Sequence, residues 1–200
     1  MLKDKILEAR DDDDCINDCS IQGETISDFD FTQLEFQSVT FDNCRFMACD
    51  FSGTRFYTTT LDNCDFSNCT FRDSYWKQCN IQGCKGNGAS FISAQLKQCV
   101  IEHSSFSYSN FSQCILDETL IIQSQYNEAF FTNAKLKKSK FDRVIFSGTE
   151  FTNTLLKDID CSTCELDGIT ISESLAELKG VKLSAEQAVD IANIIGIVII

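Results

Sequence analysis

From Ile21 to Ile171, every fifth residue is large and apolar or nearly so, with a single failure at Gly86. No insertion shifts the register across thirty further positions, and fifteen of the seventeen Phe fall on the beat, Phe29 and Phe130 excepted. A helix face repeats at 3.6 residues and a half-buried strand at 2, so neither produces a period of five. A fixed repeat of this length specifies a solenoid, in which each unit buries its apolar face against the next.

A second residue class is locked to the first. Two positions before each beat sits a small side chain, such as Cys44, Thr54, Thr59, Cys64, Ser74, Cys84, Ala94 or Cys99. Ten of the twelve Cys occupy this slot, and Cys15 and Cys161 do not. The other three positions of each five are mostly polar. The chain therefore turns a corner every five residues, with the large and the small residue inward. Four corners close a square coil, so residues twenty apart stack. One wall becomes a ladder of Phe31, Phe51, Phe71, Phe91, Phe111, Phe131 and Phe151, continued by Ile171, with rings close enough for offset contact. The same stacking places Cys44, Cys64 and Cys84 in one column. Adjacent coils lie about 4.8 Å apart, but parallel inward Cβ vectors make a bridge awkward. Reduced packing thiols are expected, with some bridges or a metal as the alternative. The single His, His103, stands at an outward position and gives no zinc cluster.

The segments flanking the repeat differ in composition. Residues 1–18 carry the run Asp11–Asp14, which reads as a solvated, frayed end or as an acidic tail adding to a functional surface. Glu24, Phe29 and Leu34 occupy slots meant for small residues, and Phe29 and Leu34 are expected to plug the lower end of the core. At Gly86 the sequence allows a tolerated kink or an outward bulge that touches a partner. Beyond Leu178, Ser184-Ala-Glu-Gln187 predicts a helix with a capping box, and Gly196 suits its C′ position. Val189, Ile191, Ala192, Ile194, Ile195, Ile197, Val198 and Ile199 exceed what a plug needs. Leftover apolar surface marks an interface, and a two-fold homodimer through these ends is expected.

Charge excludes several functions. The net charge is −13, which disfavours direct nucleic-acid binding. No apolar run is long enough for a signal peptide or a membrane span, so a cytoplasmic location is expected. Sorting residues 19–178 by wall gives −3 through Phe41 and Leu61, −4 through Phe46 and Phe66, −4 on the Phe ladder, and +2 through Trp76 and Leu96. A filled solenoid offers no concavity for a nucleophile, base or metal, so no enzyme, cofactor or catalytic residue is expected.

This pattern resembles the pentapeptide-repeat family. The resemblance implies an all-β fold, a right-handed quadrilateral parallel β-helix of about eight coils, with a short C-terminal α-helix and tail strand. The domains would be an acidic segment or cap at 1–18, the β-helix at 19–178, and a capping helix and dimerisation tail at 179–200. The run Leu178-Lys-Gly-Val-Lys-Leu183, with Gln187-Ala188 and Ile195-Gly-Ile-Val198, is similar to the C-terminal signature of the Qnr and MfpA class, and Gly88-Ala-Ser-Phe91 and Ser107-Tyr-Ser-Asn-Phe111 look like segments of Qnr repeats. Membership of that class implies a rod-like dimer that mimics B-form DNA, binds bacterial DNA gyrase or topoisomerase IV, and protects it from quinolones or peptide toxins. The unbroken beat leaves no room for the two loops that many Qnr proteins carry, so the chain is closer to the loopless MfpA type. Eight coils make a rod of about 38 Å, and duplex of that length carries about 22 charges; residues 19–178 carry −9. Mimicry would therefore be partial, borne by outward acids: Asp42, Asp50, Asp62, Asp65, Asp73, Glu102, Glu150 and Asp160. The Lys-bearing wall would face away. The alternative is an interaction scaffold or immunity protein with another partner, for which Val100, Leu120 and Ile122 could form a patch.

Overall fold

A computed structural model describes residues 2–12, 15–194 and 196–198. The chain winds as a parallel β-solenoid with a twenty-residue coil. Consecutive pentapeptides occupy successive faces, and each stacks on the pentapeptide twenty residues later: Phe36 pairs with Phe56, Phe56 with Trp76, Phe41 with Leu61 and Ile81 with Ile101. Two consecutive faces are parallel sheets of seven short strands each. The Trp76 face runs from Ile16–Asn17 to Lys135–Lys137, and the Phe41 face from Ser20–Gln22 to Lys140–Asp142. Seven strands make about six coil steps, fewer than the eight coils expected, because beyond Asp142 the beat continues as turns and isolated bridges such as Ile145–Glu165 and Glu150–Thr170.

The other two faces are built mainly from turns. In the Phe66 pentapeptide the amide of Cys69 donates to the carbonyl of Phe66 at 3.1 Å, and the same bond recurs from Cys114 to Phe111 and from Thr154 to Phe151. The corner itself is the residue two after each beat. It takes a positive φ without a break from Asp18 to Asp158. That conformation favours Gly, Asn and Asp, which explains why Gly23, Gly53, Gly83, Gly88 and Gly148 all stand there.

The core is the stack that the beat describes. Successive rings of the Phe ladder are stacked at 4.3, 4.7, 4.8, 4.6, 5.0 and 5.5 Å from Phe31 to Phe151. The small slot has a chemical role besides its size. At many positions its hydroxyl or thiol donates to the carbonyl of the large residue one coil below, as Thr54 does to Phe31 at 2.8 Å, Cys64 to Phe41 at 3.4 Å, Cys84 to Leu61 at 3.4 Å and Thr119 to Leu96 at 3.0 Å, whereas Ser74, Ser104 and Ser124 donate within their own coil. Cys, Ser and Thr share this capacity, and the cysteines are free thiols. A neighbouring thiol and burial push Cys44 and Cys69 upward, keeping them in the protonated, donating form.

Gly86 neither kinks nor bulges. Its amide donates to Ser105 and its carbonyl accepts from Ala89, as in a regular pentapeptide. The missing side chain is replaced by its neighbours: a Cβ at Gly86 would lie 2.6 Å from the rings of both Phe66 and Phe106. The rings lean into the socket from the coils below and above, with centroids 5.9 Å apart.

Both ends are closed. Residues 2–12 form a helix, α1 (Leu2–Asp12), where the sequence suggested a frayed tail. Leu2, Ile6 and Ala9 are buried on one side of it and cover the lower coil. The odd residues of the first repeats serve this helix. Glu24 accepts the Leu2 amide at 3.0 Å, and Lys3 lies 5.1 Å over the ring of Phe29. Helix α1 ends at Asp12, within the run Asp11–Asp14, and Asp13 and Asp14 lie outside the described residues. At the upper end, Glu177 and helix α2 (Ala185–Ile194) complete the rod. The capping box is present: Gln187 N donates to Ser184 Oγ at 3.2 Å and Ser184 N donates to Gln187 Oε1 at 2.7 Å. Gln187 also donates to the carbonyls of Cys161, at 2.7 Å, and Cys164, which ties the helix to the last coil. Gly196, with φ of 80°, closes α2: its amide donates to Asn193 and that of Ile197 to Ala192, the two bonds of a Schellman motif. Ile197 and Val198 pair with no strand among the described residues, and Ile199 and Ile200 lie outside them.

Candidate interaction surface

The acidic residues singled out in the sequence all reach the surface, on three faces. Asp42, Asp62, Glu102 and Asp160 lie on the Phe41 face, where Asp42 and Asp62 are register neighbours one coil apart. Asp50, Asp73 and Glu150 lie on the Phe-ladder face, and Asp65 on the Phe46 face. They do not form one continuous stripe. Gln82 separates Asp62 from Glu102, and Ile122 follows Glu102 in the same column. The lower coils hold the densest group, formed by Asp42, Asp50, Asp62, Asp65 and Asp73.

Several of these carboxylates have structural duties that the sequence reading missed. Asp50 accepts the amide of Ser52 at 2.8 Å and its hydroxyl at 2.6 Å. Asp65 does the same with Ser67, and Asp160 with Ser162. Asp30 accepts the amide of Thr32. The signal was legible as Asp, a beat residue, then Ser or Thr, the spacing at which an Asp side chain caps its own turn. Partial burial of Asp65 opposes ionisation, but the Ser67 bonds and the Arg45 guanidinium outweigh it and hold the carboxyl below its ordinary value. The Ser162 hydroxyl and amide lower Asp160 likewise. Glu150 accepts from the hydroxyl of Thr132 at 2.9 Å. Ion pairs among the described residues join Arg10 to Asp30, Arg45 to Asp65, Arg55 to Glu35, Lys138 to Glu118 and Arg143 to Asp142. None of them engages Asp42, Asp62, Asp73 or Glu102; Asp42 accepts from the side-chain amides of Gln22 at 2.7 Å and Asn43 at 2.6 Å, and Asp62 from that of Asn63 at 3.0 Å.

The basic residues gather on the Trp76 face. Lys77 and Lys97 are register neighbours, and Asp117 separates Lys97 from Lys137. Val100, Leu120 and Ile122 are each half-buried in the Phe41 sheet and form no large exposed patch. At the C-terminal end, Ile191 is buried against its own coil at 8% exposure, so it serves the plug and is withheld from any interface. Ala192 is half-buried. Val189, Ile197 and Val198 are exposed, Val198 by 84%. The side chain of Ile194, together with Ile195 and Ile199, lies outside the described residues. Among the described residues no three His, Cys, Asp or Glu side chains converge as a metal site requires. No helix of the described residues is long and apolar enough to cross a membrane.

A filled rod of stacked five-residue units with outward carboxylates defines a class of repeat protein. The chain belongs to the pentapeptide-repeat family: residues 26–91 match the pentapeptide repeat region model and residues 114–153 match a run of eight pentapeptide repeats. Among solved structures its fold is like that of QnrB1, a plasmid-mediated fluoroquinolone resistance protein. One trypsin-treated variant of QnrB1 matches with a TM-score of 0.60 at 22% identity, covering 92% of this chain and 99% of that one. A second trypsin-treated variant matches at 0.54 and 21%, covering 92% and 100%. A pentapeptide repeat protein of the Arabidopsis thaliana thylakoid lumen shares 24% identity at a TM-score of 0.37, over 55% of this chain and 66% of that one. No curated protein matches the sequence.

Proposed function

We propose that the chain is a non-enzymatic DNA mimic that binds bacterial DNA gyrase or topoisomerase IV where duplex would lie, and so protects the enzyme from quinolones or gyrase toxins. The observation that carries this reading is the group of lower-coil carboxylates that no ion pair neutralises. Asp42, Asp62 and Asp73 stand on a rod whose coils repeat at strand spacing, with no cation among the described residues to neutralise them. Likeness to a quinolone-resistance protein and the C-terminal signature support the same reading.

The rod works as a homodimer joined through its C-terminal ends. Exposed Val189, Ile197 and Val198 are the support for that interface. Pairing doubles the length of the acidic rod to something nearer a bound duplex.

The test is a gyrase supercoiling and quinolone-cleavage assay. The protein should inhibit or protect, and the double change Asp62→Lys with Asp73→Lys should weaken that effect. Asp117→Lys, on the basic face, should leave it unchanged. Inertness in both assays, or equal sensitivity to both sets, would reject the proposal. Asp50 is a poor choice for such a test, because its reversal also removes the turn cap on Ser52.

A further inference from the structure

The coil ladder is open at one seam. In every lower coil of the Trp76 face, the corner amide donates to the next coil, as Gln98 N does to Asp117 O at 2.8 Å and Glu118 N to Lys137 O at 2.8 Å. The equivalent bond from Lys138 to Lys157 is missing. Among the described residues, the amides of Lys138 and Leu155 and the carbonyl of Ala134 have no backbone partner. The coil above is instead committed upward: Leu156 N donates to Glu177 O, Asp158 N to Gly180 O and Cys161 N to Lys182 O. On the two turn-built faces the bridges Ile145–Glu165 and Glu150–Thr170 stay closed. At the start of the seam the Ala134 amide still donates to Thr154 Oγ1 at 2.8 Å, and beyond it the strand Lys135–Lys137 ends its sheet with an upper edge that has no backbone partner among the described residues.

The seam is a recess of about 540 Å³ lined by Asn133, Lys135, Leu136, Lys137, Leu155 and Lys157 among others. Leu136 is half-buried, whereas the residues in its column below, Leu116, Leu96 and Trp76, are fully buried. Leu155 is 57% exposed. Three lysines and no carboxylate line this recess, on a chain of net charge −13. Around the corner the seam continues onto the Phe41 face, but there Lys138, Lys140 and Lys182 are offset by Asp142, Asp158 and Asp160.

We infer that this recess is a docking site for a short, extended, acidic peptide segment of a partner protein, which adds as a strand to the Lys135–Lys137 edge. An unpaired strand edge supplies main-chain donors and acceptors to an incoming strand. Leu136 and Leu155 receive one alternate side chain, and Lys135, Lys137 and Lys157 receive the carboxylates of the others. This surface is separate from the acidic faces and would remain free while they are engaged.

The experiment titrates the full-length protein into a fluorescent hexapeptide of alternating glutamate and valine, followed by anisotropy, with hydrogen exchange in parallel. Saturable binding is expected, with the Lys138 amide exchanging faster than that of Glu118 in the free protein and slowing when the peptide is bound. Lys135→Glu combined with Lys157→Glu should weaken binding about tenfold or more, as charge reversal at a partly desolvated contact does. Lys77→Glu with Lys97→Glu, lower on the same face, should leave it unchanged. A peptide with N-methylated backbone should bind markedly more weakly. Absence of saturable binding overturns the inference. So does equal binding of the N-methylated peptide, of inorganic polyphosphate or of duplex DNA, since each would reduce the site to a general attraction for anions.

Discussion

The thiol of Cys64 donates to the carbonyl oxygen of Phe41, 3.4 Å away and one coil below. The same bond joins Thr54 to Phe31, Cys79 to Phe56 and Ser139 to Leu116. It explains why a slot that demands a small residue is filled so often by one that also carries a donor. Cys64→Ser should therefore be nearly neutral, and Thr54→Val should cost about 1 kcal/mol, the net worth of a buried hydrogen bond. Chemical denaturation of the two variants against the parent checks both. Equal losses from the two changes would mean that only size matters in the slot.

Gly86 is enclosed by the rings of Phe66 and Phe106. Gly86→Ala should destabilise by about 1–3 kcal/mol, the ordinary cost of overpacking, although Ala is a residue the rest of a coil accepts. Thermal melting reads the effect. A stabilised Gly86→Ala would show that the socket is loose.

Tyr126 takes a position that Phe66 and Phe106 hold in the coils below. Its hydroxyl is fully buried and has no hydrogen-bond partner among the described residues. Burial drives its ionisation well above the ordinary range, so it stays neutral. Tyr126→Phe should raise stability by about 1 kcal/mol or more by removing an unpaired polar group. A fall in melting temperature would reveal a partner for the hydroxyl.

Glu177 is a carboxylate at 1% exposure in the upper cap. Burial opposes its ionisation, but bonds from its own backbone amide, from the Asn153 amide at 2.7 Å and from the Ser172 hydroxyl at 2.9 Å prevail and lower its pKa. A folded-state value below the unfolded one contributes stability that is present above the ordinary carboxyl value and lost as pH falls through the folded one. Melting temperature should therefore drop as acid is added below pH 4.5, the ordinary value for Glu. Glu177→Gln should flatten that drop. An unchanged acid limb in the variant would assign the effect to other carboxylates.

Period and composition carried most of the fold. The beat alone defines the Phe ladder, because nothing but a twenty-residue coil stacks Phe31 on Phe51 and Phe71. The capping box at Ser184 and the turn at Gly196 were equally legible, since both are local hydrogen-bond patterns. Gly86 was misread because a period shows which socket is empty and not which neighbouring rings lean into it. The N-terminal helix was hidden by its charge: only Leu2, Ile6 and Ala9 mark its buried side, and the acids around them dominate the composition. Wall charge sums found the acidic and basic faces but could not separate carboxylates that cap no turn, such as Asp62 and Asp73, from those that do, such as Asp50 and Asp160. The open seam above Lys135–Lys137 had no sequence signal, because the beat continues through Leu156 while the hydrogen bonds do not.

The most direct measurement of the proposed mimicry is competition on the enzyme itself. Labelled duplex is bound to gyrase and the protein is titrated in, with anisotropy reporting the duplex. Displacement that reaches completion, and that is lost when Asp62 and Asp73 are both replaced by Lys, is the predicted result. Duplex that stays bound while the protein binds alongside it would contradict the account.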